Sequence, residues 1–270
     1  MMRGKGAFVG GRPVERWDRW AACGLEWCAL QHAWCWGDRA SAGLEADEVT
    51  RDVRSLVDEA ALARARGVDP WWWAWVVPSR VDAWLARFAA DVRDAGTEAP
   101  GGLVLNLELA EPEGQKGRGR PAWNDARGVE DAAHDLVAGV RDAWDGEVWV
   151  TTHGKAVAEQ PWSALRDLDG VLPQAYNPGC TYKSGFVARC VRSYAEGPMR
   201  GKPVVPLLGA NSTLAGCMRR YVEEATTLDP RPGALGWWSW AGLESSASKR
   251  AEVGACDLSH RPNPPPSLQK

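Results

Sequence analysis

The amino-acid sequence predicts a single (β/α)8 barrel, and three observations favour this fold class. Eight short apolar runs alternate with amphipathic stretches along the 270 residues, which is the element order of a barrel of typical size. Each apolar run is nearly continuous, as expected of strands that are buried on both faces of a parallel sheet. The rival fold, a doubly wound open sheet, is disfavoured because Gly10 and Gly11 lead into Arg12 and Pro13 and form no glycine-rich phosphate turn.

The strand predictions rest on the apolar runs, which turn residues such as Gly, Pro and Asp separate from the following segments. Runs of four to eight residues bounded in this way are typical of strands in a buried sheet. The predicted strands are Ala7–Gly10, Glu26–His32, Trp71–Val76, Leu103–Leu107, Glu147–Thr152, Gly170–Ala175, Pro203–Leu208 and Ala234–Trp238.

The helix predictions rest on apolar residues that recur at spacings of three and four, which place them on one helical face. Val53, Leu56 and Ala60 illustrate this spacing in the first predicted helix. The predicted helices are Val49–Arg66, Val81–Ala95, Ala126–Trp144, Gly185–Ala195 and Leu214–Thr227, with a weaker helix from Ser245 and one or two turns within Pro161–Asp167. The barrel is predicted to span residues 1–258, followed by a Pro-rich extended or disordered tail over 259–270.

Composition argues against several classes of partner. A net charge of −3 disfavours a nucleic-acid partner, which would need a concentrated basic face. No apolar stretch approaches the length of a membrane span, and the amino terminus lacks the apolar run of a signal peptide. We therefore expect a protein that is made in the cytoplasm. The analogy that accounts for this is a phage-encoded protein or one that is released by lysis. The oligomeric state is left open.

Seven scattered cysteines form no CxxC pair, so a zinc ribbon or a redox dithiol site is disfavoured. We expect these cysteines to act as small buried hydrophobes in a reducing compartment. An HExxH motif is absent as well. The sequence thus predicts neither a metal site nor a cofactor.

Active sites in this fold gather at the carboxyl ends of the strands. The predicted strand ends carry amides, carboxylates, a phenol, imidazoles and indoles but few cations, so phosphate chemistry is disfavoured. The chain holds 17 Trp against 4 Tyr and 3 Phe, and flat indoles at strand ends suit the C–H faces of a sugar. The candidate catalytic residues are Glu108, Asn106 and Tyr176; the candidate substrate-binding residues are Trp238, Trp240, Gln174, His153, Trp75, Glu111, His32 and Asn211.

Glu108 is the leading candidate for the catalytic acid. It follows the apolar run of strand four, and the period-two alternation of a strand puts Asn106 and Glu108 on the same side. If that side is the barrel interior, indole and phenol walls would desolvate the Glu108 carboxyl and raise its pKa. A raised carboxyl pKa is what a general acid acting on a glycosidic oxygen requires.

The sequence "GLVLNLE", which ends at Glu108, resembles the fourth strand of the family-18 chitinase-like and family-25 lysozyme-like glycoside hydrolases. The resemblance implies that Glu108 is the catalytic acid. "PQAY" on strand six resembles the position where family-18 proteins present a tyrosine, here Tyr176, and "GWWSW" on strand eight resembles their floor tryptophan, here Trp238. "VERWDRWAACGLEWCALQ" is similar to the opening of the family-25 proteins.

Two departures from these families bear on function. Asn106 stands where an Asp is expected, and strand one ends in Gly10 and Gly11 without an acid. Ordinary glycoside hydrolysis uses two carboxylates, for which Glu111 or Asp38 is the second candidate. A substrate that carries an N-acetyl group can instead supply its own carbonyl as the nucleophile, with Asn106 and Tyr176 orienting the acetamido group.

Our leading interpretation is a glycoside hydrolase that acts on an N-acetylhexosamine-containing polysaccharide, such as peptidoglycan or chitin. The alternative is a catalytically inactive barrel that binds carbohydrate or serves as a structural component of a larger assembly. A third class, a lyase or amidohydrolase, is weakened by the absence of metal ligands and of a phosphate-binding motif. The sugar, the linkage and the anomeric outcome are left open.

Overall fold

The computed structural model of the chain is a closed barrel of eight parallel strands, each paired with the next and the last paired with the first. This architecture confirms the predicted (β/α)8 fold class. The structure describes residues 1–10, 13–34, 51–107, 123, 129–154, 161–176, 185–210, 215–228 and 232–258. The strands are β1 (Gly4–Val9), β2 (Trp27–Trp34), β3 (Asp69–Trp75), β4 (Gly102–Asn106), β5 (Glu147–His153), β6 (Gly170–Ala175), β7 (Leu207–Gly209) and β8 (Ala234–Trp238).

Helices of the described residues follow the strands and cover the outside of the barrel. They are α1 (Trp17–Ala22), α2 (Val53–Arg64), α3 (Val81–Ala95), α4 (Val129–Ala143), α5 (Trp162–Leu165), α6 (Phe186–Ala195), α7 (Ala215–Thr226), α8 (Trp240–Glu244) and α9 (Ala247–Gly254). Single 3-10 turns at Pro78–Arg80 and Gly96–Glu98 flank α3. The five long helices and the short α5 were predicted, and α9 matches the weaker helix expected from Ser245. The short helices α1 and α8 were not among the helices predicted from apolar periodicity.

Strand seven is shorter than predicted. The sequence predicted Pro203–Leu208, whereas β7 spans Leu207–Gly209. Proline has no backbone N–H to donate to a ladder, so Pro203 and Pro206 contribute only acceptors, to Val171 N and Gly236 N. Upstream of β7, the pairing with β6 is reduced to an isolated bridge between Val171 and Val204.

Alternate residues of each strand belong to two separate apolar clusters. The outer cluster lies between the strands and the helices and includes Leu103 and Leu105 of β4. The interior cluster fills the barrel and includes Val104 from the same strand, as the period-two geometry of a strand requires. The members of the interior cluster are Met2, Phe8, Trp27, Ala29, Trp71, Trp73, Trp75, Val104, Trp149, Leu172, Val205, Leu207 and Ala234.

Glycines of neighbouring strands make room for the large indoles of the interior. A Cβ atom added at Gly6 would lie 1.9 Å from the Trp27 ring, and one at Gly102 would lie 2.0 Å from the Trp71 ring. Such separations are far below a van der Waals contact, so only glycine fits beside these rings. The barrel therefore accommodates tryptophans by alternating very large and very small residues from strand to strand.

Cysteine chemistry differs from the expectation. Cys23, Cys28, Cys190 and Cys256 are free thiols, but Cys217 is disulfide-bonded. The expectation that all the cysteines are small hydrophobes in a reducing compartment is therefore wrong for Cys217.

The described segments contain no group of three or more His, Cys, Asp or Glu side chains arranged to hold a metal ion. Across the same segments, no helix combines the length and apolar character needed to span a membrane. The predicted tail, residues 259–270, lies outside the described residues.

Candidate active site

The carboxyl end of the barrel interior is lined by polar side chains that lie above the interior cluster. Asn106, the last residue of β4, is 1% exposed, and it pairs in register with Trp75 of β3 and Thr151 of β5. We call the following residues the mouth group, since all occupy inward strand positions or contact the interior cluster at this end. They are Gln31, Trp75, Asn106, Thr151, His153, Gln174, Tyr176 and Trp238.

Two amide side chains form the centre of the mouth group. Gln174 Nε2 donates a hydrogen bond of 3.1 Å to Asn106 Oδ1, and both residues are buried. This bond joins β6 to β4 over the intervening β5, so it crosses the inside of the barrel. Below it, the hydroxyl of Thr151 donates to the Leu172 carbonyl at 2.7 Å. The predicted site residues Asn106 and Gln174 are thus brought together.

Aromatic rings form the walls of the mouth. Trp238 is half-buried and contacts Trp73 edge-on, with ring centroids 5.0 Å apart, and Phe8 at 5.5 Å. Tyr176 is also half-buried and packs against the interior cluster. The peptide bond between Trp238 and Ser239 is cis. Tyr176, Trp238 and Trp75 therefore contribute flat apolar surface around the amide pair.

His153 ends β5 at the rim of the mouth and is half-buried. It pairs in register with Gln174, so the imidazole lies on the same inward side as Thr151. Its backbone carbonyl accepts a hydrogen bond of 2.6 Å from the hydroxyl of Tyr194 on α6. This bond fixes the end of β5 against the helix layer. His153 thus places an imidazole at the rim of the mouth.

Two predicted substrate-binding residues lie in the outer layer instead. His32 is fully buried beneath α3, where its Nε2 lies 2.9 Å from Asp91 Oδ2. Trp240, the first residue of α8, is 3% exposed and packs on Trp20, with ring centroids 4.7 Å apart. Neither ring has open surface or faces the barrel interior, so the structure does not bring His32 and Trp240 into the mouth group.

Three further predictions lie outside the described residues: Glu108, Glu111 and Asn211. Two members of the mouth group, Gln31 and Thr151, lie at predicted strand ends but were not among the candidate site residues. The signal for both was the strand alternation, since Gln31 shares its parity with Trp27 and Ala29 of the interior cluster.

The side chains of the described mouth group are suited to binding a neutral polar ligand. Amides and hydroxyls can exchange hydrogen bonds with sugar hydroxyls and with an acetamido group, and indoles can pack on C–H faces. Within the part of the chain that the structure describes, no Asp, Glu, Lys or Arg takes an inward position at this end. Among the mouth residues, the imidazole of His153 and the phenol of Tyr176 are the groups able to transfer a proton.

Comparison with known proteins supports the fold. No family model matches the sequence, and no curated protein sequence matches it either. Solved structures do match: a chitinase from Rhizomucor miehei superposes with a TM-score of 0.62 at 12% identity, covering 94% of this chain and 100% of the chitinase.

Two further structures that match are an inhibitor protein and a lectin. A xylanase and α-amylase inhibitor protein, solved with trehalose, superposes with a TM-score of 0.61 at 11% identity over 94% of this chain and 98% of the inhibitor. A tamarind chitinase-like lectin superposes with a TM-score of 0.56 at 10% identity over 93% of this chain and 99% of the lectin. At these identities the likeness establishes a (β/α)8 barrel of the shape that these proteins share.

Proposed function

We propose that this protein is a glycoside hydrolase that acts on an N-acetylhexosamine-containing polysaccharide, with Glu108 as the general acid and base. The observation that carries the proposal is the inward position of Asn106 at the end of β4, where it accepts the Gln174 hydrogen bond. Residue 108 follows two positions later, and a strand that continued to it would put both residues on one side. The proposal requires this alternation to continue to Glu108.

The substrate class follows from the side chains of the mouth group. An acetamido group needs an acceptor for its N–H and a donor for its carbonyl, which the amides of Asn106 and Gln174 and the phenol of Tyr176 can provide. In the substrate-assisted route, the acetamido oxygen attacks the anomeric carbon while Glu108 donates a proton to the leaving oxygen. Water then opens the cyclic intermediate and returns a proton to Glu108. Peptidoglycan and chitin both carry this acetamido group.

Assays of chitin and of peptidoglycan test the proposal, the first by release of reducing ends and the second by loss of turbidity. Wild type is compared with Glu108→Gln and with Glu111→Gln, which removes a neighbouring carboxylate. We expect Glu108→Gln to lower the rate by about two to four orders of magnitude and Glu111→Gln to lower it much less. Full activity in Glu108→Gln, with a wild-type melting temperature, would rule out the proposed mechanism.

A second function, carbohydrate binding without catalysis, is favoured by one observation. No Asp, Glu, Lys or Arg takes an inward position at the described part of the mouth, and Asn106 occupies the position where the resembling families carry an acid. The lectin and the inhibitor among the similar structures support this possibility. It predicts that wild type and Glu108→Gln bind a chitin oligosaccharide with equal affinity and that neither hydrolyses it, which the same assays with a titration would detect.

A further inference from the structure

Strand β2 contains one extra residue at its carboxyl end. Gln31 pairs with Trp73 and Ala33 pairs with Ala74, so His32 lies in a β-bulge between two consecutive partners on β3. Ala33 belongs to the outer cluster, although strict alternation from Gln31 would point it inward. Bulges of this kind re-aim side chains and are frequent beside active sites.

The residue before the bulge is the mouth residue Gln31. It is 7% exposed, and its Oε1 lies 4.0 Å from where a Cβ atom of Gly10 would be. Since Gly10 follows the end of β1, the Gln31 amide lies beside the carboxyl end of β1. The position of this amide depends on how the bulge is held.

A chain of charged and polar groups holds the bulge from the outer side. His32 Nε2 lies 2.9 Å from Asp91 Oδ2, and the same oxygen accepts a bond of 2.7 Å from Arg87 Nε on α3. Burial disfavours the charged form of Asp91, but the hydrogen bonds from His32 and Arg87 outweigh it and hold the pKa of this carboxyl below its ordinary value. Asp91 is therefore an anion that accepts from both partners.

Aromatic rings enclose the imidazole on its remaining sides. His32 stacks on Trp72 with centroids 5.1 Å apart, and the edges of Trp84 and Phe88 approach at 6.0 and 5.8 Å. The His32 backbone carbonyl also accepts a bond of 3.1 Å from Arg51 N, just before α2. The bulged residue is thus fixed through both its side chain and its backbone.

We infer that His32 is a positioning residue for the mouth: the Arg87–Asp91–His32 chain fixes the β2 bulge, and the bulge fixes the Gln31 amide. A bulge that loses its anchor can shift by one residue, which would turn neighbouring side chains to the opposite face. The identity of the ligand rests on the proposed carbohydrate function. The coupling of the Gln31 position to His32 does not depend on that function.

A double-mutant cycle with a chitin oligosaccharide tests the link. His32→Phe keeps an aromatic ring but removes the donor to Asp91, and His32→Gln restores an N–H at a similar distance. We expect His32→Phe to weaken binding roughly tenfold, as displacement of a contacting group would, and His32→Gln to recover most of the loss. If His32 acts through Gln31, then His32→Phe on a Gln31→Ala background should cost nothing further.

The matched control is His134→Phe, the same substitution at an exposed histidine of α4 that contacts Ser163. It should leave affinity unchanged. Additive effects of His32→Phe and Gln31→Ala would overturn the inference, because they would mean that His32 does not act through Gln31.

A ligand-independent readout separates this inference from the proposed function. The side-chain amide resonances of Gln31, identified by their loss in Gln31→Ala, are recorded by NMR in each variant without sugar. We expect them to shift in His32→Phe and to return in His32→Gln. Unshifted resonances in a folded His32→Phe protein would refute the positioning role. If wild type binds no chitin oligosaccharide, the proposed ligand is refuted. The Gln31 amide resonances would still test whether His32 positions Gln31.

Discussion

Gln174 on β6 donates a hydrogen bond of 3.1 Å to Asn106 on β4, two strands that are not neighbours in the barrel. The bond therefore spans the interior above Thr151 of β5 and draws the carboxyl ends of three strands into one polar surface. Both side chains are neutral amides, and both are buried. This pair explains why the mouth is suited to an uncharged polar ligand.

Loss of the Gln174 donor should affect both stability and binding. In Gln174→Met, Asn106 Oδ1 loses its bond from Nε2 in a buried site, so we expect the free energy of unfolding to fall by about 1–2 kcal/mol. Affinity for a chitin oligosaccharide should fall as well, because the remaining amide is no longer oriented. Urea denaturation and calorimetric titration measure the two effects. Unchanged stability would mean that the bond between the two amides contributes nothing to the folded state.

The glycine beside Trp71 should be intolerant of a single methyl group. A Cβ atom at Gly102 would lie 2.0 Å from the fully buried Trp71 ring, so Gly102→Ala should destabilise the protein by about 1–3 kcal/mol through overpacking. Its neighbour Gly101 provides the control, because a Cβ atom there meets nothing within 4 Å. Thermal or urea unfolding compares the two variants. Equal stabilities would show that the Trp71 ring can move aside at no cost.

The fold could be predicted because its signals are local and repeated. Each apolar run that predicted a strand lies where a strand occurs, since burial on both faces leaves little room for polar residues. Helices α1 and α8 were missed because six and five residues are too few for a 3.6-residue period to emerge. The predicted start of β7 was too early. The apolar pattern of Pro203–Leu208 favours a strand, but its two prolines have no N–H group to donate to a ladder.

The site was only partly within reach of the sequence. Alternation along β4 left open which face Asn106 takes, and the structure places it inward with Val104. The same count from Trp27 would have selected Gln31 and placed His32 outside. The bulge beyond Gln31 has no signature in the sequence, since it depends on Asp91 from a helix 59 residues away. Long-range anchors of this kind become visible only when the strands and helices are packed together.

Trp238 should provide the main stacking surface of the mouth. It is half-buried, with its ring braced by Trp73 and Phe8, and truncation of such an aromatic anchor costs about 2 kcal/mol, or roughly thirtyfold in Kd. We expect that loss for Trp238→Ala with a chitin oligosaccharide. Trp144→Ala is the control, because Trp144 is also half-buried but lines a groove with Gly96 and Gly101 at the opposite end of the barrel.

Tryptophan fluorescence titration and thermal melts measure affinity and folding for both variants. Equal losses in the two variants would indicate a general effect of removing an indole. An unaltered affinity in Trp238→Ala would exclude this ring from the ligand site.

Buried thiols should make the protein sensitive to alkali. Burial raises the pKa of Cys23 to about 11, and the nearby charges of Arg250 and Lys5 only partly oppose it. Burial raises the pKa of Cys256 to about 11 in the same way. An unfolded thiol ionises near pH 8.5, so the unfolded chain releases protons at a pH where the folded chain still holds them. The stability from these protonated thiols is present below about pH 8.5 and is lost as the pH rises toward 11.

Cys23→Ala tests this dependence, because it removes one of the two thiols and leaves Cys256 in place. We expect the free energy of unfolding of wild type to fall more steeply than that of Cys23→Ala between about pH 8.5 and 11, by about 2–3 kcal/mol over the whole interval. The slope is the measurement, since the substitution also alters packing in a pH-independent way. Urea denaturation at half-unit pH steps gives both curves. Parallel curves would show that Cys23 titrates alike in the folded and unfolded chains, and burial could then not be what controls its ionisation.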